Sequence, residues 1–475
     1  MKKSQIPYRG LMSIQKKTFH SFIWSFIEQI GIKGITGAVT IILAKFLNPE
    51  DFGLIAMLTV FIQIANSLMD FGLNQALIRK DGANETDYST VFFTNVLFGV
   101  TAYSILFFFS TTIANFYQEQ RLVFLIRIIG ITIIINSFKI VQETKLTKAL
   151  NFKGIVKVTF PASLISCIFA VSLAYYGYGI WALVIQMLSS SFLSTSFMFL
   201  LYRWVPKAEF SILSFKENFN FGFKLALSQL VDIIFQNIFV IVIAKYFSAQ
   251  EAGYYFFAHR LRQFVIFQFN IAVQKVSFPA LSLIQNDNLQ LKIACRKLMN
   301  ILTLIIFPVV IFSASLGTPL FHLFLSKQWS EAVPVFQLLF IAGLIVPMHS
   351  VNINILKIKG RTDIILYLEL IKKTIIFLVL LITTQYGVII ILYGQIFTSF
   401  INYIPNVIFS KKLINYSVWE QFSDVFMNLV LSLTLGCALH QISKTNVNAL
   451  YQIFLFGSFA CIIYILSSRA VSSRS

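Results

Sequence analysis

The chain is poor in charge, poorer still in acids, and nearly empty of cysteine. Charged residues make up 12% of its 475 positions, and 19 Asp and Glu face 38 Lys and Arg. A soluble domain carries about 25% charged residues, so a hydrated globular surface is excluded. Four cysteines, Cys167, Cys295, Cys437 and Cys461, stand singly in apolar stretches, with neither the framework of a disulfide scaffold nor metal-ligand spacing. No Gly-rich phosphate loop, metal cluster or nucleophile constellation rises above chance, and the breaks between apolar runs are too short for a catalytic domain. The expectation is therefore a protein that is not an enzyme, with no cofactor and no metal. No small-residue cleavage site follows the first apolar run, which reads as a retained span.

Apolar sequence is abundant: 57% of residues are hydrophobic, and the mean hydropathy is +0.77. A membrane-crossing helix needs about 20 mostly apolar residues, because backbone in hydrocarbon must satisfy its own hydrogen bonds. Fourteen such runs are expected, at about 19–46, 52–78, 90–113, 121–141, 155–175, 180–202, 220–246, 252–278, 298–317, 332–355, 371–385, 387–409, 423–441 and 448–467. The fold class predicted is an all-α polytopic membrane protein. The formal charge of +19 does not imply nucleic acid, since the basic residues lie in short joints between apolar runs, as topology signals do. Most Lys and Arg fall on one face if both termini are cytoplasmic. The amphipathic stretch from Asp363 to Lys372 and Lys373 is assigned to the cytoplasmic surface.

The chain matches itself at an offset of 200 residues. Ile41, Ala44, Lys45 and Gly53 correspond to Ile241, Ala244, Lys245 and Gly253. Polar residues keep phase too: Gln29 with Gln229, Gln63 with Gln263, Asp70 with Asn270, and Asn74 with Gln274. Six spans separate the copies, so both enter the membrane in the same sense, which fits two parallel bundles and rocking alternation. The expected organisation is an N-lobe at 1–210, a C-lobe at 211–412 and an accessory pair of spans at 413–475.

Ser25, Gln29, Lys33, Thr36 and Thr40 recur at helical spacing on the first span, as do Gln63, Asn66, Asp70 and Asn74 on the second. Gln263, Asn270 and Gln274 repeat the pattern on the eighth. Each amide alone reads as glue between helices, and the set reads equally well as a hydrated cavity wall. Lys33, Arg127, Arg260 and Arg262 are the intramembrane cations; Glu28, Asp70 and Asp232 are the acids. An ionised group at mid-bilayer costs at least about 2.5–3.5 kcal/mol unless paired or hydrated. The cations suit an anionic head group, and mutual neutralisation, with Lys33 on Asp70 or Glu28, is the competing reading for each. Arg260 and Arg262 stand two apart and cannot point the same way on a helix. His259 and His349 read as structural, and Pro161, Pro308, Pro347 and Pro405 as helix kinks.

The segment from Ala44 to Lys80 resembles the polysaccharide transporter family of the multidrug/oligosaccharidyl-lipid/polysaccharide (MOP) exporter superfamily, nearest its Wzx-type flippases and the colanic-acid branch. Leu47 to Gly53, Asp70-Phe71-Gly72-Leu73 and Glu251 to Tyr255 carry the likeness. The resemblance implies two six-helix lobes in a V around a cationic cavity, with two further helices. It implies a cargo of undecaprenyl-pyrophosphate-linked sugar repeats moved across the bacterial inner membrane, coupled to an ion gradient. Lys33, Arg127, Arg260, Arg262, Gln29, Gln63, Gln263 and Asn270 then become candidate pyrophosphate and glycan contacts, and Glu28, Asp70 and Asp232 candidate coupling acids. The partners expected are the lipid-linked oligosaccharide, membrane lipid and polysaccharide polymerase machinery, with no nucleic acid, and the chain acting as a monomer. The rivals are a cation-coupled small-molecule exporter of the related multidrug branch, a membrane enzyme and a channel.

Overall fold

The computed structural model describes residues 31, 34–267, 277–278, 280–445 and 447–472. Ser25, Glu28, Gln29, Lys33, Asn270 and Gln274, and with them the first half of the first span, lie outside the described residues. Every regular element among those described is helical, the outcome expected where backbone polar groups have no water to turn to. Ten helices are long and apolar enough to cross a membrane, and Gly34–Phe46 and Tyr451–Ser467 are shorter apolar helices. The chain is a multi-pass membrane protein. It divides into two compact units, residues 1–47 with 51–245 and residues 48–50 with 246–475. Packing thus divides the chain at 245/246, where the repeat led to the expectation of a boundary at 210/211.

The first unit holds α1 (Gly34–Phe46), α2 (Pro49–Asp70), α3 (Leu73–Arg79), α4 (Glu85–Tyr117), α5 (Arg121–Lys148), α6 (Phe152–Tyr175), α7 (Trp181–Tyr202) and α8 (Ile212–Tyr246). The second span, expected over 52–78 with a turn at Asp70-Phe71-Gly72-Leu73, is interrupted at that turn. Phe71 and Gly72 take left-handed backbone at φ 47° and 72°, a conformation that glycine adopts freely and phenylalanine only at a cost of about 1–3 kcal/mol. Two features offset that cost. The Phe71 ring stacks on Phe219 of α8, with centroids 5.2 Å apart and an interplanar angle of 8°. Gly72 also lies so near Gly222 that a Cβ on it would meet the Gly222 carbonyl oxygen at 2.5 Å.

Local chemistry sets the ends of the next elements. Asn84 and Asp87 form a reciprocal capping box at the start of α4, with bonds of 2.8 and 3.0 Å. Lys148, at the end of α5, donates to the Leu77 carbonyl at 2.9 Å, placing a cation at the C-terminus of α3. Lys80, in the loop after α3, bridges Asp87 and Glu217 at 2.9 and 3.0 Å. Burial opposes its charge, yet those two carboxylates raise its pKa above the usual lysine value.

The second unit contains α9 (Ala249–Arg262), which passes into a π-helical turn at Gln263–Phe267, then α10 (Asn288–Ser315), α11 (Gly317–Phe324), α12 (Ala332–Ala342), α13 (Val346–Ile358) and α14 (Thr362–Thr383). Next come α15 (Val388–Ile401), α16 (Tyr403–Ile414), α17 (Val418–Ser443) and α18 (Gly457–Ser472). The tenth span is a candidate span over Ala332–Ile358 that turns at 343–345, just before Pro347. One expectation needs correction: the eleventh span, expected to begin at 371 after a separate amphipathic stretch, belongs to one continuous helix over Thr362–Thr383. Its inner face buries Ile364, Leu368 and Lys372. Lysine is tolerated there because Glu369 and His349 meet its Nζ.

Candidate functional site

A polar cavity of about 520 Å³ lies within the first unit, walled by α2, α5 and α8. From α2 come Gln63, Asn66, Ser67 and Asp70, at the helical spacing read from the sequence. Asn136, Lys139 and Glu143 come from α5, and Gln229 from α8. The break at Phe71 and Gly72 helps to set this wall. It frees backbone N–H groups at the start of α3, and Asp70 Oδ1 accepts one of them, from Asn74, at 3.2 Å. Gln63 is exposed to the cavity side, and its Oε1 accepts from Asn237 Nδ2 at 3.0 Å, tying α2 to α8. Ser67 Oγ is buried with no partner among the described residues.

Lys139 and Glu143 were not among the expected site residues. Their spacing with Asn136 is i, i+3, i+7, a legible stripe, but the sequence reading ends this span at 141 while α5 continues to Lys148. Lys139 therefore lies about 14 Å inside the end of its helix, at 1.5 Å per residue. Its Nζ meets Glu143 Oε1 at 3.2 Å and Ser194 Oγ at 3.0 Å. The described lining thus holds one ammonium already paired, two carboxylates and several amides. Such a wall suits a hydroxyl-rich glycan, which exchanges donors and acceptors with amides. It is not the cationic cavity that the resemblance implied.

The unpaired cations lie elsewhere. Arg127 is wedged between α4 and α5, its Nε donating to Ser110 Oγ at 3.0 Å and its guanidinium 4.4 Å above the Phe107 ring. In the second unit, Arg262 Nη2 meets His259 Nδ1 at 3.2 Å, and the Arg260 guanidinium lies 5.1 Å over Phe256. The two arginines diverge, as their spacing requires. Gln263 Nε2 contacts the same imidazole at Nε2, 2.9 Å away. All three arginines are half-buried, and among the described residues no carboxylate pairs with any of them. Arg260 is about 16 Å along α9, half the thickness of a hydrocarbon core of about 30 Å. Asp232 sits on α8, exposed, one turn beyond Gln229. Gln63 and Asp70 are brought together with Gln229 in the first-unit cavity; Arg127 is not among its lining residues.

Comparison with known proteins places this geometry in context. A family model described as "Polysaccharide biosynthesis protein" matches residues 42–334. The teichuronic acid biosynthesis protein TuaB of Bacillus subtilis (strain 168) is 29% identical over 311 residues, covering 65% of this chain and 64% of its own length. The chain thus spans just under two thirds of that relative. The lipopolysaccharide biosynthesis protein WzxC of Escherichia coli (strain K12) is 24% identical over 443 residues, 90% of this chain and 89% of its own. The succinoglycan biosynthesis transport protein ExoT of Rhizobium meliloti (strain 1021) is 25% identical over 349 residues, 74% of this chain and 71% of its own. Among solved structures, the lipid II flippase MurJ in an inward closed conformation superposes with a TM-score of 0.76 at 15% identity, covering 95% of this chain and 99% of that one. An inward-facing MATE family transporter of the MOP superfamily gives 0.59 at 14% identity, covering 84% and 100%. At these identities the structural likeness is one of fold, the two-lobe MOP arrangement.

Proposed function

Because the chain belongs to the family of polysaccharide biosynthesis proteins, matched over residues 42–334, we propose that it carries an undecaprenyl-pyrophosphate-linked oligosaccharide repeat unit from the cytoplasmic to the periplasmic face of the bacterial inner membrane, drawing on an ion gradient. The observation that carries this reading is the state of Arg260 and Arg262. Among the described residues, Arg262 meets the His259 imidazole and Arg260 lies over the Phe256 ring, and no carboxylate pairs with either guanidinium. Buried cations without acids are costly to maintain, and a passenger that brings its own negative charge gives the cost a purpose. Arginine suits phosphate because its planar fork grips two oxygens at once.

In this proposal Lys33, Arg127, Arg260 and Arg262, with Gln29, Gln63, Gln263 and Asn270, meet the head group and glycan, while Glu28, Asp70 and Asp232 couple to the ion. Both termini are cytoplasmic, the lobes follow the repeat at 1–210 and 211–412 with an accessory 413–475, and the chain works as a monomer beside a polymerase. The expected result is that Arg260→Met with Arg262→Met lowers surface polysaccharide. If each arginine contributes a charge-assisted bond of about 1.5–3 kcal/mol, the loss per residue is about 10–150-fold. Normal export from a well-expressed double variant removes the head-group role. The two carboxylates of the first-unit cavity, Asp70 and Glu143, favour a second reading, export of small cations. Resistance to cationic drugs conferred on a sensitive host, without any effect on polysaccharide, would select it.

A further inference from the structure

Three helices of the second unit bring polar residues to one depth. His349 lies about 14 Å from the end of α13, Lys372 about 15 Å from the start of α14 and Asn406 about 12 Å from the end of α16, at 1.5 Å per residue. Lys372 is 6% exposed. Its Nζ is 3.1 Å from His349 Nε2 and 3.0 Å from Glu369 Oε1. On the other side of the ring, His349 Nδ1 is 2.7 Å from Asn406 Nδ2. The Oδ1 atoms of Asn402 and Asn406 are buried without partners among the described residues. Neither head-group binding nor glycan contact makes use of this cluster.

Hydrogen-bond chemistry restricts its charge. An ammonium and an amide NH₂ are both pure donors, and a neutral imidazole accepts at only one nitrogen. The ring therefore cannot serve Lys372 as an ammonium and Asn406 as an Nδ2 donor together. In one arrangement Lys372 is a neutral amine whose lone pair accepts Nε2–H, while Asn406 Nδ2 donates to Nδ1. In the other Lys372 is an ammonium donating to Nε2, and the Asn406 amide is turned over so that its Oδ1 accepts Nδ1–H. Asn406 Nδ2 also donates to the Asn402 carbonyl at 3.1 Å, so a half-turn of the amide exchanges that bond for one from Nδ1–H to the buried Oδ1, which lacks a partner in the first arrangement. The two differ by one proton. An imidazolium against an ammonium 3.1 Å away is opposed by like-charge repulsion.

We propose that Lys372, His349 and Asn406 form a site for a single exchangeable proton within the second unit, with Glu369 as its counter-charge. The proton enters at His349 Nδ1 from the Asn406 side as the Nε2 proton passes to the lysine amine. One N–H bond forms at Nδ1, one moves from Nε2 to Nζ, the site gains one positive charge, and the Asn406 amide turns. Glu369 is the carboxylate in contact with the pair. The acids on the neighbouring α17, Glu420 and Asp424, close instead on Lys292 and Arg296 of α10, at 2.6 and 2.5 Å. On α16, Lys411 and Lys412 are exposed, as is Lys357 on α13, and Lys373 lies on another face of α14. Resting on the transport reading, this site would make the second unit sensitive to a proton gradient.

The site can be tested without transport. Full-length protein labelled with ¹⁵N-histidine in nanodiscs, with His349→Asn to assign the signal, should show His349 passing from an Nδ1–H to an Nε2–H tautomer between pH 5 and 10, with no imidazolium. Lys372→Met should abolish that exchange. A single tautomer throughout, or an imidazolium forming near the ordinary histidine value of about 6.5, overturns the proposal. A second measurement follows a fluorescent undecaprenyl-pyrophosphate oligosaccharide in proteoliposomes. A pH gradient should accelerate wild type, and Lys372→Met or His349→Asn should lose at least tenfold of that acceleration while keeping movement without a gradient. Full acceleration in both variants overturns the coupling role. No movement in wild type sinks the transport reading, and the tautomer measurement still decides the proton site.

Discussion

The contact between Gly72 and Gly222 offers a quantitative test of how the first-unit cavity is held. In Gly222→Ala the new Cβ would stand 2.5 Å from the Phe71 carbonyl oxygen and 3.0 Å from the Gly72 carbonyl carbon. Ordinary contact begins at 3.4 Å, so α8 must retreat by about 0.9 Å. Both obstructing atoms are backbone, and neither can swing aside. Overpacking of this kind costs about 1–3 kcal/mol, and loosening the Phe71–Phe219 stack forfeits about 0.5–1.5 kcal/mol more. The alanine returns about 1 kcal/mol of helix propensity. The net expectation is a loss of about 1–3 kcal/mol, read as a lower unfolding temperature of the purified protein in detergent. Gly34→Ala is the control. It makes the same chemical change where a Cβ meets nothing within 4 Å among the described residues, and it should be neutral or stabilising by about 0.5–1 kcal/mol. Gly222→Ala should also slow export, since Asp70 adjoins Phe71 and Gln229 lies two turns along α8. Equal stability of the two alanine variants would refute the reasoning.

Lys139→Met should destabilise the protein by leaving Glu143 without its cation, and adding Glu143→Gln should recover part of the loss, because removing both partners is milder than removing one; a thermal double-mutant cycle measures this. Ser417→Ala removes the capping box at the start of α17, where Ser417 and Glu420 exchange bonds of 2.9 and 3.2 Å, and should cost about 1 kcal/mol in the same assay. Lys80 has a folded-state pKa above the usual lysine value, so its contribution is fully present below that usual value, about 10.4, and is lost as pH rises through the higher folded one. The stability gap between wild type and Lys80→Met should therefore persist at pH 8 and close in strong alkali.

Much of the scaffold was legible because hydrocarbon leaves the chain few options. Long apolar runs had to become helices, and the joints at residues 47–48, 118–120, 176–180 and 247–248 are as short as the sequence demands. Element ends were harder. Ending the span at 141 separates Lys139, inside it, from Glu143, beyond it, whereas the two pair on a helix that continues to Lys148. The reading also divided α14 near Lys372, although contacts from Glu369 and His349 allow that lysine to be buried. A hydropathy rule counts charges one at a time, and both errors arose where two charges cancel across one or more helix turns. The turn at Phe71 and Gly72 is legible in the sequence, but its stabilising partners, Phe219 and Gly222, lie some 150 residues away and are not.

By itself, the sequence determined that this is a membrane protein of many helices, duplicated within, with polar residues aligned on particular faces and a family likeness carried by residues 44–80. Composition and periodicity suffice for that, because they respond to the solvent around each helix. Which polar residues meet was decided only by tertiary packing. Lys139 found Glu143 and a place in the cavity, Arg127 found a serine and a phenyl ring, and Lys372 found a histidine. Charges buried in a low-dielectric interior are governed by neighbours within a few ångströms, and those neighbours come from helices far apart in the chain.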